Sequence, residues 1–254
     1  SESAEMTGKK TAAVLLAGGH GARMRSKVPK QFLLLDGHTV LWHALQALSE
    51  SSIDEIVLVT PQGEAKALYR TYREEYGFRK LVAAVEGGAE RCDSVVAGLA
   101  ALRGRGIELV FIHDAARPFV SQELLKRMRE AGERYGAAIP AIPVKDTIKL
   151  GNPEGFVQDT PPRALLFAAQ TPQVFSYTAI CAAYEAYDRA REAQDARALL
   201  ATDDAQVMEH FGACAVKLVE GEEQNQKLTT PADMARAEQW LRERQGLQRK
   251  ETEE

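Results

Sequence analysis

Between Ala12 and Phe32 the sequence reads AAVLLAGGHGARMRSKVPKQF. Gly18, Gly19 and Gly21 follow directly on an apolar run ending at Ala17, and Arg23, Arg25, Lys27 and Lys30 come next. Glycine lets backbone N–H groups approach an anion with no Cβ in the way, and clustered cations hold its charge. The chemistry this suits is phosphate binding at the C-terminal end of a strand. No acidic residue stands between Glu5 and Asp36, although the 254-residue chain carries a formal charge of −4. Positive charge that is local in an acidic protein points to a small polyanion such as a nucleotide, whereas a basic excess over the whole chain would have pointed to nucleic acid.

The loop is not a Walker A loop, because no Gly-Lys-Ser/Thr follows. It is not a dinucleotide fingerprint either, because Met24 stands at the last glycine position. The plain alternative is a glycine-rich turn under a solvated basic surface. Two further stretches place polar residues after apolar runs: Gly87-Gly88-Ala89-Glu90-Arg91 after Leu81 to Val85, and Asp114-Ala115-Ala116-Arg117-Pro118 after Glu108 to His113. Late in the chain, Lys227 sits in the stretch NQKLTTPAD. The five histidines form no obvious catalytic pair. Cys92, Cys181 and Cys214 are too few and too widely spaced for a disulfide framework or a zinc site.

The elements that must position these residues alternate. Thr39 to Ser49 puts Val40, Leu41, Ala44, Leu45 and Leu48 on one helical face, and Glu55 to Thr60 is a buried strand bounded by Asp54 and Pro61. A polar helix over 62–76, the strand Leu81 to Val85, a helix over Ser94 to Leu102 and the strand Glu108 to His113 continue the βαβ pattern. In an open parallel sheet the strands' C-terminal ends share one edge, where ligands bind, and short continuous apolar runs fit strands covered on both faces. Ser121 is the expected N-cap of a helix to Tyr135 with Glu123 in its first turn. Gly136 to Val144 reads as a strand, with Pro140 and Pro143 arguing against a central, fully paired position.

Residues 145–175 break the alternation. Asp146 to Leu150 and Phe156 to Asp159 flank a turn-forming Gly-Asn-Pro-Glu-Gly, which predicts a polar hairpin that either covers the sheet edge as a lid or reaches into another subunit. Helices over Ser176 to Gln194, from Thr202-Asp203-Asp204 to Phe211 and over Pro231 to Arg244, and a strand over Ala213 to Val219, complete the chain.

With 45% hydrophobic and 27% charged residues, the composition predicts one α/β domain. The expected architecture is a single Rossmann-like domain over 11–244, with a mostly parallel central sheet, helices on both faces and 145–170 as a protruding hairpin arm. Residues 1–10 and 245–254 are expected to be flexible ends. Every apolar run is under about ten residues, short of the roughly 18 to 20 that span a bilayer, and no signal-peptide core is present, so a cytoplasmic protein is expected.

LAGGHGARM followed by PKQF resembles the nucleotidyltransferase signature, in the version found in the 2-C-methyl-D-erythritol 4-phosphate cytidylyltransferase family. Ile112-His113-Asp114-Ala115-Ala116-Arg117-Pro118 matches that family more specifically, and Asn225 to Asp233 matches its late N-x-K-(apolar)-T-x-P-x-D block. Three blocks in order, with ERCDSV at 90–95 and DTIK at 146–149 between them, extend the resemblance over residues 11 to 244. It implies attack by the phosphate of methylerythritol phosphate on the α-phosphorus of CTP, with Mg2+, expelling pyrophosphate in non-mevalonate isoprenoid biosynthesis. A phosphomonoester is largely a dianion at pH 7, so no general base is called for. Within the same fold a ribitol-5-phosphate cytidylyltransferase is the near alternative, and a non-catalytic nucleotide-binding regulator is the alternative of another class.

By the same resemblance Arg23 and Lys30 hold the triphosphate, and Lys227 sits on the other side of the α-phosphate. Ala17, Gly18, Gly19, Gly21, Gly88, Ser94 and Ala115 belong to the nucleotide site, the loop Gly87 to Ser94 reading cytosine. The family often has an acidic residue where Ala89 stands, so here only backbone contacts remain at that point. Asp114 lies near the ribose and acceptor hydroxyls or faces Mg2+; the plain alternative is a turn residue paired with Arg117. Thr147, Arg163, Thr171 and Thr202 match acceptor-binding positions, Thr147 and Arg163 reaching the acceptor from the arm of the partner in a homodimer. For these four the plain alternative is ordinary strand and cap residues.

Overall fold

The computed structural model describes residues 8–18, 28–199 and 201–253. Its first strand, β1 (Thr11–Leu16), is apolar from Ala12 onward and buried up to Leu15. Alternate residues serve opposite faces: Ala13 and Leu15 join one hydrophobic core, Ala12 and Val14 the other. Cover on both faces is why the run is continuously apolar rather than alternating.

A short 3-10 turn, Lys30–Phe32, and a two-residue pair, β2 (Leu34–Leu35) with β3 (His38–Thr39), lead into α1 (Val40–Glu50). Thr39 Oγ1 accepts from Trp42 N, and the five apolar positions named from the sequence are the buried ones. β4 (Glu55–Thr60) is followed by α2 (Ala65–Tyr69), which loosens into a π-helical stretch over Arg70–Glu75, and then by β5 (Leu81–Glu86). α3 (Arg91–Ala101), β6 (Leu109–Asp114), α4 (Gln122–Tyr135) and β7 (Ala137–Pro143) come next. Ser121 caps α4 by accepting from Leu124 N, and Gly136 ends it at φ 76°, a left-handed conformation that glycine adopts without strain.

The arm carries β8 (Leu150–Gly151) and β9 (Val157–Asp159), after which β10 (Phe167–Ala169) and β11 (Gln173–Ser176) return to the main sheet. The helices α5 (Tyr177–Glu192), α6 (Ala196–Leu199) and α7 (Asp204–Phe211), the strand β12 (Lys217–Glu220) and α8 (Pro231–Glu253) finish the chain.

Among the described residues one eight-stranded sheet runs β7-β11-β6-β1-β4-β5, with β10 and β12 also on β7. β6, β1, β4 and β5 are mutually parallel; β11 runs antiparallel to β6. The chain leaves β1 for β4 and β5 on one side and returns to β6 on the other, so β1 is the switch point where a crevice opens at the strands' C-terminal ends. Register places Leu16 opposite both Val59 and Asp114.

Several expectations change. β7 is paired on both sides despite its prolines. The Pro140 carbonyl accepts from Gln170 N, so the side of Pro140 that lacks an N–H faces the break between β10 and β11, where no ladder bond is required of it. The excursion is shorter than 145–170: Val144 N donates to the Leu166 carbonyl, and 167–169 already pair with β7. Its hairpin is the one expected, with Gly155 at φ 89° and Asn152 N donating to the Phe156 carbonyl. It is not polar-faced, however: Ile148, Leu150, Phe156, Val157 and Leu165 are all exposed. Residues 1–7 lie outside the described residues, but Lys10 is tied down by bonds to Glu108 and Arg105. At the other end α8 continues past Arg244 to Glu253, with Gln245 bonded to Asp36.

Candidate active site

The end of β1 is held by its neighbours. Ala17 N donates to the Val59 carbonyl at 2.8 Å, and the Ala17 carbonyl accepts from Gln31 Nε2 at 2.7 Å. Gln31 is only 2% exposed. This bond fastens the turn that carries Lys30 to the strand end and brings Lys30 to the lip of the crevice. Sequence reasoning passed over Gln31; its place between Lys30 and the apolar Phe32 was the available signal. Gly19, Gly21 and Arg23 lie outside the described residues.

The second wall is the loop after β5. Gly87 N donates to the Thr60 carbonyl, and Gly88 N to Ser94 Oγ at 3.2 Å. A Cβ on Gly87 would stand 2.5 Å from Ser94 Oγ, and one on Gly88 would stand 2.4 Å from Asp93 Cβ. Neither separation is possible between unbonded atoms, so the Gly-Gly pair is what lets the loop fold over the start of α3.

Asp114 ends β6 between two cations. Its carboxylate is 3.4 Å from Arg91 Nη2 and 3.6 Å from Lys227 Nζ. Burial by itself would raise its pKa; the charges of Arg91 and Lys227, with Arg117 behind them, outweigh this and hold the carboxyl well below the usual carboxylate range. The alternative pairing of Asp114 with the Arg117 guanidinium is not formed: Arg117 Nη1 donates to the Asn225 carbonyl at 2.8 Å, and only its backbone N–H meets the Asp114 carbonyl.

Arg91 is the main residue that sequence reasoning missed. Besides Asp114 it grips Asp204 through two bonds, 3.1 and 3.0 Å, and the Tyr184 hydroxyl donates to the same carboxylate. Asp204 is wholly buried. Removing one partner from a buried pair of this kind costs about 3–5 kcal/mol. Arg91 thus fixes the start of α7 relative to Asp114, a link between distant segments that no local spacing announces.

Lys227 rides on a loop anchored at both ends. Asn225, fully buried, donates from Nδ2 to the Thr171 carbonyl at 2.8 Å; Leu228 N donates to the Ala116 carbonyl at 2.8 Å. Beyond it, Asp233 accepts from Thr229 N and Oγ1 and from Thr230 N, while Thr230 Oγ1 accepts from Asp233 N. This is a capping box at the start of α8. The late sequence block is therefore one lysine and a set of residues that hold it.

A cleft of about 200 Å³ brings together Ala17, Gly18, Lys30, Gly88, Ser94, Asp114 and Lys227. Three cations, Lys30, Arg91 and Lys227, line it together with the glycine-rich loop. A larger hollow of about 550 Å³ adjoins it, shares Glu90 and Arg91, and contains Thr202. Ala115 is not in the cleft: its side chain packs in the core and its N–H is spent on the Leu16 carbonyl. Thr171 is buried behind Asp114. Thr147 and Arg163 are exposed on the arm, where Arg163 donates to the Lys145 carbonyl. Among the described residues no three His, Cys, Asp or Glu side chains cluster as a metal cage. A magnesium–nucleotide does not require one, since Mg2+ is commonly held by one or two carboxylates plus phosphate oxygens, and Asp114 is a suitable oxygen donor in the cleft.

Comparison with known proteins gives a consistent match. Residues 11–243 match the family model described as 2-C-methyl-D-erythritol 4-phosphate cytidylyltransferase. The chain is 39% identical over 236 residues to a protein of that name from Alkaliphilus oremlandii, covering 92% of this chain and 96% of the relative. It is 43% identical over 233 residues to one from Desulforamulus reducens, covering 91% and 96%. Its structure is similar to that of 4-diphosphocytidyl-2C-methyl-D-erythritol synthase from Anaerococcus prevotii, with a TM-score of 0.77, 33% identity and coverage of 92% and 99%. It is also similar to the Thermus thermophilus cytidylyltransferase, with a TM-score of 0.70, 34% identity and coverage of 90% and 98%.

Proposed function

The chain belongs to the 2-C-methyl-D-erythritol 4-phosphate cytidylyltransferase family, and from that membership we infer that it transfers CMP from CTP to 2-C-methyl-D-erythritol 4-phosphate in isoprenoid biosynthesis. One observation carries the reading to chemistry: Lys30 and Lys227 face one cleft from separate loops, with the loop of Gly88 and Ser94 beside them. An acceptor phosphate oxygen forms a bond to the α-phosphorus of CTP while the bond to the β-phosphate breaks, and pyrophosphate leaves. The nucleophile is already an anion, so the protein's work is to orient two anions and stabilise spreading negative charge.

Lys30 and Lys227 are assigned to the triphosphate and the α-phosphate, together with Arg23. Ser94 and the backbone at Gly88 are assigned to cytosine, and Ala89 adds no side-chain contact. Asp114 is assigned to the ribose and acceptor hydroxyls, or to Mg2+ alongside the triphosphate; when bound, the ion would neutralise phosphate charge. Thr202 and the adjoining hollow are assigned to the acceptor.

The reading includes a homodimer, with the partner's arm supplying Thr147 and Arg163. The exposed Phe156, Val157 and Leu165 support it, because an apolar arm tip left in water is an unfinished interface. It also includes a cytoplasmic location; no described helix is long and apolar enough to cross a membrane.

The test is pyrophosphate release from CTP and Mg2+ with methylerythritol phosphate and, separately, with ribitol 5-phosphate. Turnover with the first supports the assignment. Turnover with ribitol phosphate alone would overturn the acceptor, and CTP binding without pyrophosphate from either would leave a regulator.

A further inference from the structure

His113 is fully buried, immediately before Asp114. Its Nε2 lies 3.0 Å from the Arg117 carbonyl and its Nδ1 lies 2.8 Å from Thr171 Oγ1. Burial lowers the His113 pKa to about 4, so the ring is neutral at pH 7; a carbonyl oxygen only accepts, so Nε2 carries the single proton and Nδ1 presents a lone pair. The Thr171 hydroxyl therefore donates its single proton to Nδ1. Its oxygen in turn accepts from Asp114 N at 3.1 Å. The bonds form one directed chain: Asp114 N–H to Thr171 Oγ1, Thr171 O–H to His113 Nδ1, His113 Nε2–H to the Arg117 carbonyl. Arg117 N then donates to the Asp114 carbonyl at 3.0 Å and closes the circuit on the same residue.

We propose that His113 is a positioning residue for cytidylyl transfer: by taking the Thr171 proton it makes that hydroxyl the acceptor that fixes the Asp114 backbone opposite Lys227. The proposal rests on the cytidylyltransferase reading and refines it. Three consequences follow from the geometry. Thr171 has no proton left for an acceptor phosphate oxygen, so it acts through Asp114. A circuit whose every donor direction is set cannot be satisfied by an apolar side chain at either position. Because the Thr171 carbonyl also accepts from Asn225, two residues before Lys227, the same segment registers both Asp114 and Lys227. A displacement of about 1 Å in such an arrangement is enough to slow the chemical step strongly.

The experiment uses the full chain with CTP, Mg2+ and methylerythritol phosphate, and compares His113→Leu, Thr171→Val, the double variant and Thr171→Ser. Steady-state kinetics are read at a temperature where circular dichroism shows each variant folded. Each single apolar variant should lower kcat roughly tenfold with KM for both substrates within about twofold, the double should lose no more than the worse single, and Thr171→Ser should recover kcat. Multiplicative losses in the double, a raised acceptor KM at unchanged kcat, or a lowered melting temperature with unchanged kcat would each overturn the proposal. If His113→Leu does not fold, Thr171→Val against Thr171→Ser decides by the same readouts. A wild-type chain that releases no pyrophosphate would instead overturn the activity, a result distinguishable from active variants that match wild type.

Discussion

Replacing Lys227 by alanine removes one cation from the cleft and leaves Lys30 and Arg91 in place. Its Nζ lies 3.6 Å from the Asp114 carboxylate, and its side chain is 40% exposed. A phosphate oxygen at a comparable separation would be attracted by roughly 1 kcal/mol at the dielectric of water and by about 4–5 kcal/mol at an effective dielectric of about 20. At 1.36 kcal/mol per decade these bounds correspond to a loss of roughly tenfold to about 2000-fold. Partial exposure argues for the middle of the range, so the expected loss in turnover is on the order of 10²-fold. Charge on the α-phosphate grows in the transition state, so kcat should carry the loss and CTP affinity should change little. Pyrophosphate release gives kcat, and calorimetric titration with CTP gives the affinity. A fall in CTP binding with no fall in kcat would refute the reasoning, because it would make Lys227 a ground-state contact.

Four other perturbations separate the parts of the site and fold. Gly88→Ala puts a Cβ 2.4 Å from Asp93 Cβ, so the loop must shift; KM for CTP should rise about tenfold with a smaller change in kcat, and an unchanged KM would remove this loop from the nucleotide site. Asp233 is pushed up by burial but pulled further down, to about 2, by bonds from Thr229, Arg236 and Thr230. A carboxylate with a depressed folded-state pKa contributes stability above its unfolded value near 4 and loses it as pH falls toward 2; at neutral pH this amounts to about 2 kcal/mol. Urea unfolding at pH 7 should therefore show Asp233→Asn less stable than wild type, with the gap narrowing by pH 3, and a constant gap would contradict the capping role. Phe156→Asp on the arm should turn a dimer into a monomer on size-exclusion chromatography and cut turnover, whereas Arg163→Ala should leave the dimer intact and raise acceptor KM; full activity in a monomeric Phe156→Asp would separate the arm from the site.

Much of the fold could be read locally. The run Glu55 to Thr60 read as a strand covered on both sides, and Ser121 marked the start of α4. Pro140 misled, because its tolerance depends on which side of β7 its missing N–H faces, and that is set by the break between β10 and β11 thirty residues later. The arm misled in another way: its composition is polar, but a two-stranded excursion has no second layer to cover Phe156, Val157 and Leu165, which stay exposed. In the site, Lys30, Gly88 and Lys227 were singled out by the resemblance of their sequence blocks, and the fold brings the three to one cleft. Gln31, Arg91 and Asp204 were not, because their work is done across the fold: Arg91 meets Asp204 113 positions away. Thr171 was assigned to the acceptor by resemblance; it is buried, with its hydroxyl 2.8 Å from His113 Nδ1, a contact between segments far apart in the chain.

The central claim is that the acceptor's own phosphate oxygen attacks the α-phosphorus of CTP. Methylerythritol phosphate labelled with 18O in its phosphate, incubated with unlabelled CTP and Mg2+, tests it by 31P NMR and mass analysis of both products. The account predicts that all of the label is retained in CDP-methylerythritol, one labelled oxygen bridging the two phosphorus atoms, and that the pyrophosphate carries none. Label in the pyrophosphate, or pyrophosphate released without a labelled diphosphate product, would contradict it.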